Sequence, residues 1–144
     1  MKLGTSIIKF GIIIIAVACK ANQPVMSSTT NNAAALNDIW ALEEIEGKAV
    51  TASDFGREIP VLEFHQDKGN VIGNTGCNSL GGTYKIEGSK ITFGPMITTK
   101  MACPGDGEQR FLTALNSVNG FRIENLKLYL LNGEAEVLQF KKVD

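Results

Sequence analysis

From Asn37 onward, apolar residues recur at every second position in short runs, separated by clusters of glycine, asparagine and charged residues. A two-residue period puts alternate side chains on opposite faces of a strand, and runs at this spacing predict a meandering antiparallel sheet. Trp40 and Leu42 open the series. Leu62 and Phe64 alternate in VLEFH, and GNVIGN follows the turn-like QDKG. Tyr84 and Ile86 alternate in TYKI, EGSK turns the chain, and Ile91 and Phe93 align in ITF. GFRIE, LKLYLL and EVLQF follow, separated by Asn125 and by Asn132-Gly133-Glu134-Ala135. Leu126, Leu128 and Leu130 share one predicted strand face, with Tyr129 and Leu131 on the other.

In DGEQRFLTALNSVNG the period changes, because Phe111, Leu112, Leu115 and Val118 fall at helical spacing. Asp106, with Gln109 three residues later, resembles a capping box, and Asn119-Gly120 supplies a stop. The expected fold is α+β but mainly β: a curved antiparallel sheet or partly open barrel of seven to eight strands with one packed helix. About 108 residues remain from Asn37 onward, enough for one domain and not two.

The N-terminal segment has a different character. In MKLGTSIIKFGIIIIAVAC, Lys2 and Lys9 supply a positive start, Phe10 to Val17 an apolar core of about eight residues, and Ala16-Val17-Ala18 a small-residue cleavage site. That core is shorter than the roughly twenty apolar residues that span a bilayer. A cysteine directly after such a site resembles a bacterial lipobox, with Ala16 where leucine is commoner. Residues 1–18 are therefore expected to be a lipoprotein signal peptide and Cys19 the acylated residue. Residues 19–37, polar and small as far as Asn37, read as the lipidated cysteine and a flexible tether, although Ala33 to Leu36 also suits a turn of helix. The domain proper is expected over 38–144.

Cleavage before Cys19 removes Lys2 and Lys9, leaving 12 Lys+Arg against 15 Asp+Glu, a net charge of about −3. This balance offers no patch for neutralising phosphates, so nucleic acid is not an expected partner. The expected partners are the membrane, through acylated Cys19, and an unidentified envelope protein or small ligand, with the chain itself a monomer. Lys20 stands where an aspartate commonly retains lipoproteins at the inner membrane, which favours the outer membrane, facing periplasm or surface.

Two further cysteines lie in GNTGCNSLGGTY and TTKMACPG. In an oxidising compartment an even pair is most simply a disulfide between Cys77 and Cys103. It would close a loop of about 27 residues and stabilise the fold by about 3.5 kcal/mol. Buried free thiols, or a reactive or metal-binding pair, are the alternatives. A thiol nucleophile needs a base, and the single histidine, His65, sits on the strand face opposite Leu62 and Phe64. Zinc takes three or four ligands at recognisable spacing, so no metal or other cofactor is predicted. GNTGCNSLGG lacks the lysine of a phosphate-binding loop.

These landmarks together resemble the META domain of HslJ-like bacterial envelope lipoproteins. The matching features run in order: Trp40-Ala41-Leu42 with Ile45 and Gly47; Leu62 and Phe64; Val71 and Gly73; Gly76-Cys77-Asn78 with Gly82 and Tyr84; Thr98-Thr99; Met101-Ala102-Cys103; Glu108 with Phe111 and Leu115; and the last strands around Leu128 and Phe140. The resemblance implies a compact, mainly antiparallel barrel-like sheet with a helix, in proteins associated with the envelope and with stress such as heat or novobiocin. It carries no catalytic residue over. Asn78, Thr98 and Thr99 are candidates for a small polar site beside the cysteines. The expected function is a non-enzymatic binding or stress-protective module. A small-ligand carrier, or a thiol-dependent enzyme using Cys77 and Cys103, is the alternative.

Overall fold

The structure is a computed structural model that describes residues 29–143. In chain order its elements are α1 (Thr29–Leu36), β1 (Ile39–Ile45), β2 (Lys48–Ala49), a 3₁₀ turn (Ala52–Asp54), β3 (Val61–His65), β4 (Asn70–Asn74) and β5 (Ser79–Glu87). β6 (Lys90–Phe93), β7 (Ile97–Thr98), α2 (Gly107–Asn116), β8 (Gly120–Glu124), β9 (Lys127–Asn132) and β10 (Ala135–Val143) complete them. All strand pairs are antiparallel, in the order β10-β9-β8-β6-β5-β4-β3-β1. β1 also pairs with β10, from Ile39↔Val143 to Ile45↔Leu138, so these eight strands close on themselves. The expected partly open sheet is thus a closed barrel, with short β2 and β7 paired outside the ring to β1 and β5.

Eight strands leave an interior just wide enough for side chains to fill. Trp40, Leu42, Leu62, Phe64, Leu128 and Phe140 are buried there, the inward positions that strand alternation predicts. Each such side chain contributes about 1.5–3 kcal/mol on burial. Alternation fails once in β10, where Val137 and Leu138 are both buried. A bulge between Glu136 and Leu138 sets two residues against one on β9 and turns both side chains inward.

Register divides the barrel into two ends. One carries the start of β1, the end of β10 and the turns between β3 and β4, β5 and β6, and β8 and β9. The other carries the turns between β1 and β2, β4 and β5, and β9 and β10. α2 covers this second end against β1 and β10, with the Phe111 ring 6.4 Å from that of Phe140 at 72°. α1 lies beside β8 at the first end. Its last residue, Leu36, is fully buried, and the Leu36 carbonyl accepts the Trp40 indole N–H at 3.0 Å. The tether read over 19–37 is corrected at this point: Thr29–Leu36 is helical because Leu36 has a core to enter. Residues 1–28, with the expected signal peptide and Cys19, lie outside the described residues.

The capping box expected from Asp106 and Gln109 does not form. Asp106 is the N-cap residue but makes no side-chain cap bond, and Gln109 Nε2 turns to Thr113 Oγ1 at 3.3 Å. A side-chain cap instead serves the 3₁₀ turn, where Asp54 Oδ2 accepts the Thr51 N–H at 2.7 Å and the Thr51 hydroxyl at 2.9 Å.

Leu126, expected within a strand, occupies the turn between β8 and β9. Asn125 and Leu126 have φ of 51° and 61°, the positive values a two-residue hairpin turn requires and glycine or asparagine normally supplies. Leucine in this conformation costs about 1–2 kcal/mol. Its side chain is 71 % exposed, so packing offsets little of that cost. Leu126→Gly should therefore raise stability by about 1 kcal/mol and Tm by about 4–8 °C; thermal unfolding that shows a lower Tm would contradict this. Tyr84 presents the reverse case. It is buried with its ring edge-on to Phe64 at 5.1 Å. Its hydroxyl has no hydrogen-bond partner among the described residues, and burial, helped by Asp67, pushes its pKa up. Tyr84→Phe should be neutral or stabilising by up to about 1 kcal/mol in denaturant titration; a loss beyond that would reveal a partner for the hydroxyl.

Candidate functional site

The loop between β4 and β5, residues 75–78, closes on itself: Thr75 donates its N–H to the Asn78 carbonyl at 2.8 Å and its hydroxyl oxygen accepts the Asn78 N–H at 2.9 Å. Gly76, between them, has φ of 87°. A Cβ there would stand 2.4 Å from Phe55 Cβ and 2.6 Å from the Glu58 carbonyl oxygen, so only glycine fits. The loop projects two neighbours in opposite roles. Cys77 is bonded to Cys103 across 26 residues, with the Cα atoms 6.0 Å apart. Asn78 points inward and is 2 % exposed.

Asn78 joins three separate segments. Its Oδ1 accepts the Thr99 hydroxyl at 2.8 Å and the Met101 N–H at 2.7 Å. Its Nδ2 lies 2.9 Å from Glu108 Oε1, 3.2 Å from the Met101 carbonyl and 3.1 Å from Cys103 Sγ. Glu108, in the first turn of α2, also accepts the buried Thr75 hydroxyl. A carboxylate there faces the positive end of the helix dipole. Thr99 completes the link to β5, where its hydroxyl accepts the Ser79 N–H at 3.0 Å and its own N–H meets the Ser79 carbonyl at 3.2 Å. Asn78 thus ties the 99–103 segment and α2 to the barrel beside the disulfide. Every polar atom of its side chain is engaged, as burial demands.

Of the polar residues singled out from the sequence, Asn78 and Thr99 meet directly. Thr98 does not join them. It pairs with Leu80 in register and borders a shallow groove of about 490 Å³ together with Thr99, Leu80, Gly81, Gly82 and Ile97. Ile97 is 76 % exposed on its rim. His65 lies toward the opposite end of the barrel, where its Nε2 is 3.2 Å from Glu63 Oε1, and it contributes nothing to the cysteines. Among the described residues no three His, Cys, Asp or Glu side chains cluster to hold a metal ion. Sequence reading had Glu108 only among the residues of the family resemblance, not in the polar site, and missed Thr75 and the Phe55 that supports the loop. Thr75 and Glu108 are 33 residues apart, and no periodic pattern connects them.

Asn78→Ala would remove the acceptor of the Thr99 hydroxyl and the Met101 N–H and one donor to Glu108, and should cost about 3 kcal/mol or more, read as a fall in the denaturation midpoint. Asn78→Asp is the sharper test. It keeps the shape but sets a second carboxylate against Glu108, so like-charge repulsion should destabilise it at neutral pH and ease as pH falls through the carboxylate range, where one group takes up a proton. A penalty independent of pH would show that Asn78 and Glu108 are not in contact.

The META domain profile matches residues 33–144. No curated protein matches the chain. Among solved structures, the chain is similar to an NMR structure of a protein from Burkholderia xenovorans, with 25% identity, 78% of this chain and 88% of that one covered, and a TM-score of 0.60. A crystal structure of a DUF4847 family protein from Bacteroides vulgatus shares the fold at 18% identity and a TM-score of 0.52, over 76% of this chain and 96% of that one. The profile match spans well over half of the sequence and includes the barrel, both cysteines and the Asn78 cluster, and the chain belongs to the META domain family.

Proposed function

We propose that this protein is a non-enzymatic, membrane-anchored module of the cell envelope that binds or protects another envelope component. The observation that carries the reading is the closed hydrogen-bond account of its most polar region. Asn78, Thr75, Thr99 and Glu108 are committed to one another, and Cys77 and Cys103 are joined. A thiol-dependent reaction would first have to break a bond whose Cys77 partner is buried. A cluster of this kind holds a surface rigid. The surface it holds is the groove beside β7, whose glycine floor and exposed Ile97 offer an apolar contact next to Thr98 and Thr99. The lipobox sequence ending in Cys19 supplies the anchor, and Lys20 favours the outer membrane. A small-ligand carrier would have to use this groove, because the barrel interior is filled by side chains.

The test separates binding from chemistry. In a deletion strain with an envelope-stress phenotype, Glu108→Gln keeps hydrogen-bonding capacity at its site and should complement fully, whereas Ile97→Asp, which alters only the groove rim, should not. Complementation that fails for Glu108→Gln in a chain of unchanged Tm, and succeeds for Ile97→Asp, would assign the function to carboxylate chemistry and reject the proposal.

A further inference from the structure

Leu126 is an anomaly on two independent counts: it is 71 % exposed and it holds a backbone conformation suited to glycine, at φ of 61°. Strain retained at an exposed position points to a use for the side chain. Register supplies its surroundings. The Leu126 carbonyl accepts the Lys142 N–H at 3.1 Å, which sets the turn beside the end of β10. There Val143 pairs with Ile39 of β1, and both are more than a third exposed. Three large apolar side chains therefore lie along one rim of the barrel. It is the rim from which the chain leads back through Asn37 and Leu36 into α1, opposite the disulfide end.

We propose that this rim rests on the lipid surface to which the chain is anchored, with Leu126 inserted among the acyl chains; the proposal rests on acylation of Cys19. The argument for a bilayer is the position of the anchor. Nine residues lie between Cys19 and Thr29, ten Cα-to-Cα steps that span at most about 36 Å. That keeps the rim at high effective concentration next to the membrane, where a contact too weak to recruit a free protein is still populated. The charges around the rim are mixed. Lys142 pairs with Asp38, Lys127 pairs with Glu43, and Glu124 pairs with Arg122. Attachment is therefore apolar rather than electrostatic, and anionic lipid or salt should change it little. This orientation turns the disulfide end and the β7 groove away from the membrane, toward a partner.

The test uses the lipidated protein, extracted from membranes and placed in phosphatidylcholine vesicles with or without brominated acyl chains. Leu126→Trp and Ile97→Trp report the two ends, with emission from buried Trp40 subtracted using the parent chain. Leu126→Trp should lose on the order of half its emission to brominated lipid, as a side chain about 5–10 Å deep would, while Ile97→Trp should lose almost none. As a second readout, hydrogen exchange at Asn125 and Lys127 should slow on vesicles in the parent chain and not in Leu126→Gly, which remains anchored. Equal quenching at both ends, or none at Leu126→Trp while the protein stays on the vesicle, would overturn the proposal with the anchor intact. Unmodified Cys19 in the intact mass would overturn the anchor reading and this orientation together. Concentration-dependent shielding of Leu126→Trp in detergent alone would give the rim to a second copy of the chain and overturn it as well.

Discussion

The arrangement of the disulfide end depends on one buried amide. Asn78 holds the 99–103 segment through its oxygen and α2 through its nitrogen, and it is the one side chain among the described residues that bonds to both. A barrel closed by its first and last strands can stand without them, because β1 and β10 are paired along most of their length. What Asn78 adds is placement. It fixes where α2 covers the barrel and where β7 lies against β5, and so it shapes the groove. The disulfide beside it restrains the same segment covalently, chiefly by limiting the unfolded chain. The hydrogen bonds select one arrangement among those the disulfide permits.

The two ends of the barrel consequently differ in kind. At the disulfide end, burial and mutual satisfaction have removed freedom from the polar groups. Gly76 is confined by Phe55 and Glu58, and Gly107 lies so close to Asp54 that a Cβ would meet its carbonyl oxygen at 2.1 Å. At the other end a leucine is held in a glycine-like turn with its side chain in solvent. The first pattern suits the recognition surface proposed for this end; the second suits the membrane contact proposed for Leu126. The anchor proposed at Cys19, on the α1 side of the Leu126 end, would give the molecule a direction, membrane at one side and recognition at the other.

Much of the barrel was legible in the sequence because strand alternation reports burial directly. Leu62 and Phe64, Tyr84 and Ile86, and Leu128 and Leu130 were each placed on the faces they occupy. The failures share a cause, which is that the deciding interaction lay far away in sequence. Closure of the barrel rests on Ile39 meeting Val143, and no local period encodes that pairing. Leu36 looked like part of a tether because its helix is short and its neighbours are small, yet it enters the core. Asp106 and Gln109 had capping-box spacing, but Glu108 between them is drawn to Asn78 and Thr75, while Gln109 turns to Thr113. Leu126 continued a perfect alternation and sits instead in the turn, where the pairing of Glu124 with Lys127 leaves room for only two residues. The polar site was half legible: Asn78 and Thr99 stood out by sequence, whereas their partner Glu108 required the fold.

The role proposed for the cysteine region is that of a structural clasp and not a reactive site. Its most direct test is peptide-level mass spectrometry of the protein from intact cells, alkylated before lysis and digested without reduction. The account predicts a single cross-linked species joining the Cys77 and Cys103 peptides, with neither cysteine alkylated. Recovery of both as alkylated free thiols would contradict it and return Cys77 and Cys103 to consideration as reactive groups.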